Sequence, residues 1–157
     1  MNPTIDVTVA AIAERRGRFL MVEEETGDGV VFNQPAGHLE PGESLVDAVI
    51  RETLEETGYG FSPQALVGFY RWQHADKGIT FLRVAFLGEA SDPQGPAHLD
   101  EGIIDTHWLT RDQLIAQPAK LRSPMVTRCI DDYLGGQRLK LDYLIDVLPE
   151  DPRWVMA

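Results

Sequence analysis

Glu52, Glu55 and Glu56 follow one another at the spacing E-x-x-E-E, with Arg51 immediately before them. On a helix at about 100° per residue, Glu56 lies near 40° and Glu55 near 300° from Glu52, so the three share an arc of roughly 100°. Two like charges 4 Å apart repel by about 1 kcal/mol in water and about 4 kcal/mol at an effective dielectric near 20. Arg51 is the one cation of the segment, and a single guanidinium cannot offset three carboxylates. A hard divalent cation can, because Mg²⁺ and Mn²⁺ favour oxygen ligands and keep waters that phosphate oxygens replace. The plain alternative is a solvated acidic helix face. The same arithmetic puts Val46, Val49, Ile50 and Thr53 on an apolar stripe roughly 60° to 160° round, so the acidic arc borders the buried face and belongs at a rim or crevice. Ala48, near 320°, leaves it uncrowded.

The elements around this segment follow from caps and periodicity. Ser44 caps a helix running to Thr57, with Asp47 three residues on, and Gly58 stops it. The cluster Pro35-Ala36-Gly37 through Pro41-Gly42 reads as turns. Thr4–Ala13 and Phe19–Val22 are apolar strands joined by a hairpin at Arg15-Arg16-Gly17, and Val30–Phe32 is a third. Leu66–Trp72 and Ile79–Leu87 are strands paired around His74–Gly78, and Ile103–Leu109 is another. Arg111–Gln117 is a short helix. A second good helix opens with Ser123 as N-cap and Pro124 at the first helical position, carries Met125, Val126, Cys129, Ile130, Tyr133 and Leu134 at helical spacing, and ends at Gly135-Gly136. Leu139–Leu148 alternates imperfectly, and the tail after Pro149 has no clear pattern. The expectation is α+β with a mixed sheet, one domain over residues 1–157.

At 157 residues, with 43% hydrophobic and 25% charged, the composition is that of one globular domain and excludes disorder. The lone cysteine excludes a disulfide framework and a cysteine-based zinc site. No apolar run reaches the roughly 20 residues of a membrane helix, and MNPTIDVTVA lacks the basic start of a signal peptide. A cytoplasmic location is therefore expected. A net charge of −11 makes the chain a poor partner for nucleic acid or an anionic membrane. An anionic substrate would need a cation to neutralise its site.

The stretch from Gly37 to Tyr59 resembles the Nudix box, G-x5-E-x7-R-E-U-x-E-E-x-G-U with U a bulky apolar residue; Gly37, Glu43, Arg51, Glu52, Glu55, Glu56 and Gly58 fall in register. Thr53 and Tyr59 depart from the usual apolar and aliphatic residues, which touches packing and not ligation. The segments Phe32-Asn33-Gln34-Pro35, Gly68-Phe69-Tyr70-Arg71-Trp72 and Leu121-Arg122-Ser123-Pro124 resemble the bacterial NudJ-type phosphatase subfamily.

The resemblance implies an α/β/α sandwich and hydrolysis of phosphoanhydrides with Mg²⁺, Mn²⁺ substituting. It implies Glu52, Glu55 and Glu56 as metal ligands, with the carbonyl of Gly37 as a further one. Arg51 would orient the carboxylates or pair with Glu43, itself a brace for the loop. Glu52 is the first choice of general base and Glu101, in the Asp100-Glu101 loop, the second. His38 either touches phosphate or packs the loop. Tyr70, Trp72 and Phe81 either stack a base or belong to the core, and Arg71 and Arg83 are candidate phosphate contacts. His74, His98 and His107 are scattered, and Cys129 is inert on its apolar stripe. The implied substrates are nucleoside tri- and diphosphates and the pyrophosphate of the thiamine-precursor pyrimidine, taken up by a monomer or homodimer. ADP-ribose, nucleotide sugars or oxidised nucleotides are the same-class alternative. A nucleotide sensor without turnover is the rival of another class; such proteins commonly lose box carboxylates, and here all are present.

Overall fold

Strand β1 (Thr4–Arg15) reverses into β2 (Arg18–Thr26) through Arg16 and Gly17 at φ 52° and 76°. Two positive φ values make the mirror-image turn whose twist matches that of paired strands. The computed structural model describes residues 4–95 and 98–147. The tail after Pro149 and the first three residues of the leader reading lie outside them.

Strand β3 (Gly29–Asn33) pairs antiparallel with β2. β4 (Ala36–His38) pairs antiparallel with β1 where only turns were expected. The reason is backbone accounting: β1 is flanked on its other side by β6, and its residues Thr8–Ala10 are buried, so their remaining N–H and C=O groups need a partner. β5 (Gly60–Gln73) and β6 (Ile79–Ser91) form the expected long hairpin, with β6 parallel to β1. β7 (Ile103–Thr110) closes on β2. The sheet order is β3-β2-β1-β6-β5, with β4 on β1 and β7 on β2.

Helices cover both faces. α1 (Leu45–Thr57) sends Ala48 and Val49 into a cluster with Val9, Ala11, Leu20, Leu66 and Phe86. α2 (Arg111–Ile115) and α3 (Met125–Leu134) send Leu114, Val126, Cys129 and Ile130 against Ile12, Phe19, Met21 and Phe32. Each fully buried large side chain contributes roughly 1.5–3 kcal/mol, so the sheet is clamped from two sides. This is an α/β/α sandwich, α+β with a mixed sheet, as expected.

The caps of α1 stand where the sequence puts them. Ser44 Oγ accepts from the Asp47 N–H at 3.0 Å, and Gly58, left-handed at φ 74°, donates to the Leu54 carbonyl at 2.8 Å. α3 starts one residue later than expected, because Pro124 is the cap residue and Ser123 Oγ accepts from the Met125 N–H at 3.2 Å. The buried stripe of α1 is also rotated: Ala48, Val49, Glu52, Thr53, Glu56 and Thr57 are buried, while Val46 and Ile50 are half-exposed. Packing against β4 as well as β1 and β5 draws the Glu52–Glu56 edge inward. Two of the three carboxylates therefore lie in the buried face, not beside it.

Candidate active site

The cleft between α1, β4 and the β1–β6 surface holds about 430 Å³ and is lined by Glu52, Glu56, Gly37, Glu24, Arg83 and Arg122 among others. Spacing on α1 sets the acids. Oxygens of Glu52, Glu55 and Asp100 lie within 4.8 Å of one another, with Glu52 buried and the other two exposed. Asp100 is held in place by its own N–H, which donates to the Glu55 carbonyl at 3.0 Å. Of the Asp100-Glu101 pair it is thus Asp100 that joins the acidic group, whereas Glu101 is exposed in the adjoining turn.

Arg51 is the hub. Its Nη1 donates to Glu52 at 2.8 Å and Glu55 at 3.0 Å, its Nε and Nη2 grip Glu43 at 2.9 and 2.6 Å, and Nη2 also reaches the His38 carbonyl at 3.1 Å. Both roles considered for Arg51 coexist. Glu43 accepts in turn from the Glu40 N–H at 2.8 Å, which pins the loop before α1. The arginine beside it holds the Glu43 carboxyl below its ordinary range, and Glu43, with Glu52, raises the guanidinium in return.

Glu56 is only 8% exposed. It accepts from the Ala36 N–H of β4 at 2.9 Å. Burial pushes its carboxyl up to about 9, against the help of that N–H, and the charges of Glu24, Glu52 and Asp100 push the same way. Burial likewise raises Glu52, opposed by Arg51, and raises Glu24, opposed by Arg122. These are groups that bind a proton where they would bind a cation. Oxygen donors at short mutual range, few cationic neighbours and carboxyls raised by burial and crowding fit a hard divalent ion.

Arg83 is 3% exposed yet borders the cleft. Its Nη1 and Nη2 donate to the neutral amide oxygens of Gln34 at 2.8 Å and Asn33 at 3.0 Å, and its Nε has no partner among the described residues. Gln34 is fixed from α3 by its bond to the Val126 carbonyl at 2.7 Å. Burial lowers the guanidinium's proton affinity, as expected of a cation without a bonded carboxylate. Sequence alone assigns no role to the side chains of Glu24, Asn33 and Gln34. The run Glu23-Glu24-Glu25 breaks strand alternation and is the signal for the first, and a bulge between Glu23 and Glu24 marks it in the structure.

The other candidates divide. His38, Trp72 and Phe81 line the cleft with the acids. Tyr70 and Arg71 do not: they border a separate recess beside α3, where the Tyr70 hydroxyl donates to Asp132 at 2.9 Å and Arg71 is exposed. His107 bonds Glu23 at 2.7 Å, and Cys129 is buried in the α3 cluster.

Gly37 is a glycine because of close approach. A Cβ there would overlap the Glu52 carboxylate, whose chain is flexible enough to move away. Gly37→Ala is therefore expected to fold normally but to displace that carboxylate, lowering activity roughly 10–100-fold, the usual cost of disturbing a supporting partner in a metal site. Circular dichroism and melting of the variant beside its turnover check this; undiminished turnover would show that the Glu52 position is immaterial.

The NUDIX domain model matches residues 3–128. Phosphatase NudJ of Escherichia coli (strain K12) is 39% identical over 140 residues, covering 89% of this chain and 90% of that one. A solved NUDIX hydrolase from Nitrosomonas europaea is 44% identical with a TM-score of 0.88, covering 92% of this chain and 98% of that one. The MutT protein of Methanosarcina mazei Go1, 20% identical with a TM-score of 0.70 over 87% of this chain and 99% of that one, shares the fold.

Proposed function

Because the chain belongs to the Nudix hydrolase family, we propose that it hydrolyses the phosphoanhydride bonds of nucleoside tri- and diphosphates, and of the pyrophosphate of the thiamine-precursor pyrimidine, with Mg²⁺ as the ion and Mn²⁺ as its substitute. One observation carries this reading: oxygens of Glu52, Glu55 and Asp100 converge within 4.8 Å, and Glu52 lines a cleft together with Glu56, Arg83 and Arg122. The similarity to a relative named as a phosphatase supports hydrolysis at phosphorus.

In this reading Glu52, Glu55 and Glu56 hold the ion, with Asp100 and the Gly37 carbonyl beside them. A bound divalent ion supplies neutralisation of phosphate oxygens and a more acidic attacking water. The chain does the positioning. Arg51 fixes Glu52 and Glu55 by hydrogen bonds, the Ala36 N–H fixes Glu56, and Glu43 fixes Arg51. Arg122 and the buried Arg83 set a positive potential where the phosphate chain lies. Glu52, hydrogen-bonded to Arg51, takes the water's proton as general base, with Asp100 its acidic neighbour from the loop. The substrate is a small molecule, and no helix among the described residues is long and apolar enough to cross a membrane.

A panel of phosphorylated compounds with Mg²⁺ tests this, scoring orthophosphate and pyrophosphate separately. Nucleoside di- and triphosphates and the pyrimidine pyrophosphate are expected to turn over, with orthophosphate among the products. Turnover of ADP-ribose or nucleotide sugars alone would replace the substrate class. No turnover of any compound would overturn catalysis in favour of sensing.

A further inference from the structure

β1, β6 and β5 lie side by side, and their registers put residues in rows across one face of the sheet. Thr8, Arg83 and Tyr70 form one row; Asp6, Phe81 and Trp72 form the next. Beyond them the His74 N–H donates to the Ile79 carbonyl at 2.9 Å. Directly paired residues share a face, and rows two residues apart are about 7 Å apart along the strands. Thr8 and Arg83 border the acidic cleft, Phe81 and Trp72 border both that cleft and a neighbouring recess, and Asp6, Ile79 and His74 border the recess alone. The two spaces are thus one groove, changing character by a step of about 7 Å.

The recess holds about 370 Å³. The Trp72 and Phe81 rings are stacked on each other, 5.7 Å apart between centroids and only 18° from parallel, so a third flat group can continue the stack. His74 borders it, its ring 5.3 Å from that of Trp72. Lys77, from the β5–β6 loop, bonds Asp28 of the β2–β3 loop at 3.0 Å across the same recess, so its ammonium is already engaged. Asp6 is half-buried, and its described side-chain bond is to His38 Nε2 at 3.3 Å, which leaves carboxylate lone pairs free. An ionised carboxylate only accepts, so it favours an N–H donor and opposes a carbonyl oxygen. Asp6 and Asp28 oppose phosphate here, whereas Arg122 borders both spaces and Arg83 the cleft alone, so the phosphate end is favoured toward the cleft.

We propose that this recess seats the substrate's heterocyclic ring, stacked on the Trp72–Phe81 pair with an exocyclic amino group donating to Asp6, so that the enzyme selects amino-substituted over oxo-substituted rings. The proposal rests on the reading that the phosphate end of the substrate occupies the acidic cleft.

CDP and UDP test it, since cytosine carries an exocyclic amino group where uracil carries an oxo group, the adjacent ring N3 changing from acceptor to donor with it. Turnover is measured with each, and binding is measured separately with their α,β-methylene analogues, which are not cleaved at that bridge. Wild type is expected to favour the cytosine compound about tenfold or more in both measurements, a loss in the range expected when a half-buried acceptor is left facing a carbonyl. Asp6→Asn, whose amide can donate to an oxo group, is expected to erase or invert the preference. Trp72→Leu, which keeps apolar bulk and removes the ring face, is expected to weaken both analogues about tenfold or more. Equal binding of the two analogues to wild type, or analogue affinities unchanged in Trp72→Leu, would overturn the recess as the ring site even if hydrolysis proceeds. Selective analogue binding without hydrolysis would uphold the ring site and overturn the catalytic reading.

Discussion

Glu56→Gln is expected to lower turnover by two orders of magnitude or more and, at the same time, to make the metal-free protein more stable at alkaline pH. Both effects come from one charge. The proposed ligand is 8% exposed and its carboxyl is pushed up to about 9, whereas in the unfolded chain it titrates near 4.3. The folded state thus holds this proton more tightly than the unfolded state. The stability it contributes is fully present below about pH 4 and is lost as pH rises through about 9, at a limiting slope near 1.4 kcal/mol per unit. Gln keeps the shape, keeps an oxygen for the Ala36 N–H, and never ionises. With EDTA at pH 8.5 the variant should melt above wild type by roughly 2–4 °C for each kcal/mol relieved, and the gap should close by pH 5. With saturating Mg²⁺ it should be nearly inactive, because the oxygen that replaces the carboxylate no longer carries the charge that holds the cation. Glu43→Gln should be milder, since Glu43 reaches the cleft only through Arg51 and the loop. Near-wild-type turnover of Glu56→Gln would remove Glu56 from the ligand set; an alkaline melting point unchanged from wild type would show that its burial carries no charge penalty.

Mg²⁺ is expected to raise the wild-type melting temperature by roughly 5–11 °C at a free concentration one hundred times its dissociation constant. Ligand that binds only the folded state contributes about 2.7 kcal/mol at that ratio, and a domain of this size moves about 2–4 °C per kcal/mol. NaCl at matched ionic strength should do much less, because screening weakens repulsion among Glu52, Glu55 and Glu56 without replacing bonded oxygens. The decisive comparison is wild type against Glu56→Gln in EDTA, Mg²⁺ and matched NaCl. Equal shifts by the two salts would make the acidic face a solvated surface. A specific Mg²⁺ shift of equal size in both proteins would place the ion elsewhere.

Much of this was legible in the chain because the signals are local. Ser44, Asp47 and Gly58 bound α1 through bonds within one turn, and Arg16-Gly17 encodes its hairpin in two residues. What the sequence hid was non-local. β4 exists because β1 needs a second neighbour, and nothing within Ala36-Gly37-His38 announces that. The inward rotation of α1 follows from the same strand. Asp100 reaches the acidic group through a backbone bond to Glu55, 45 residues earlier in the chain, and Arg83 is held by the Asn33 and Gln34 amides from another strand end, which no local pattern announces. Periodicity reports which face a residue shares, not which distant backbone atom will claim it.

β4 also limits how the gene encoding this chain can change in length. Ala36 is paired with Ala10, and its N–H meets Glu56, while Gly37, paired with Val9, clears Glu52. The two carboxylates are therefore indexed to β1 by consecutive residues of a three-residue strand. A single inserted or deleted codon between Asn33 and Gly37 would slip that index by one and turn each side chain to the opposite face. The bend at Gly42, left-handed at φ 82°, lies inside the Glu40–Glu43 turn that braces Arg51, so a length change there would loosen that brace instead. Frame-preserving length variation is thus costly on both sides of β4, before it through register and after it through the brace on Arg51.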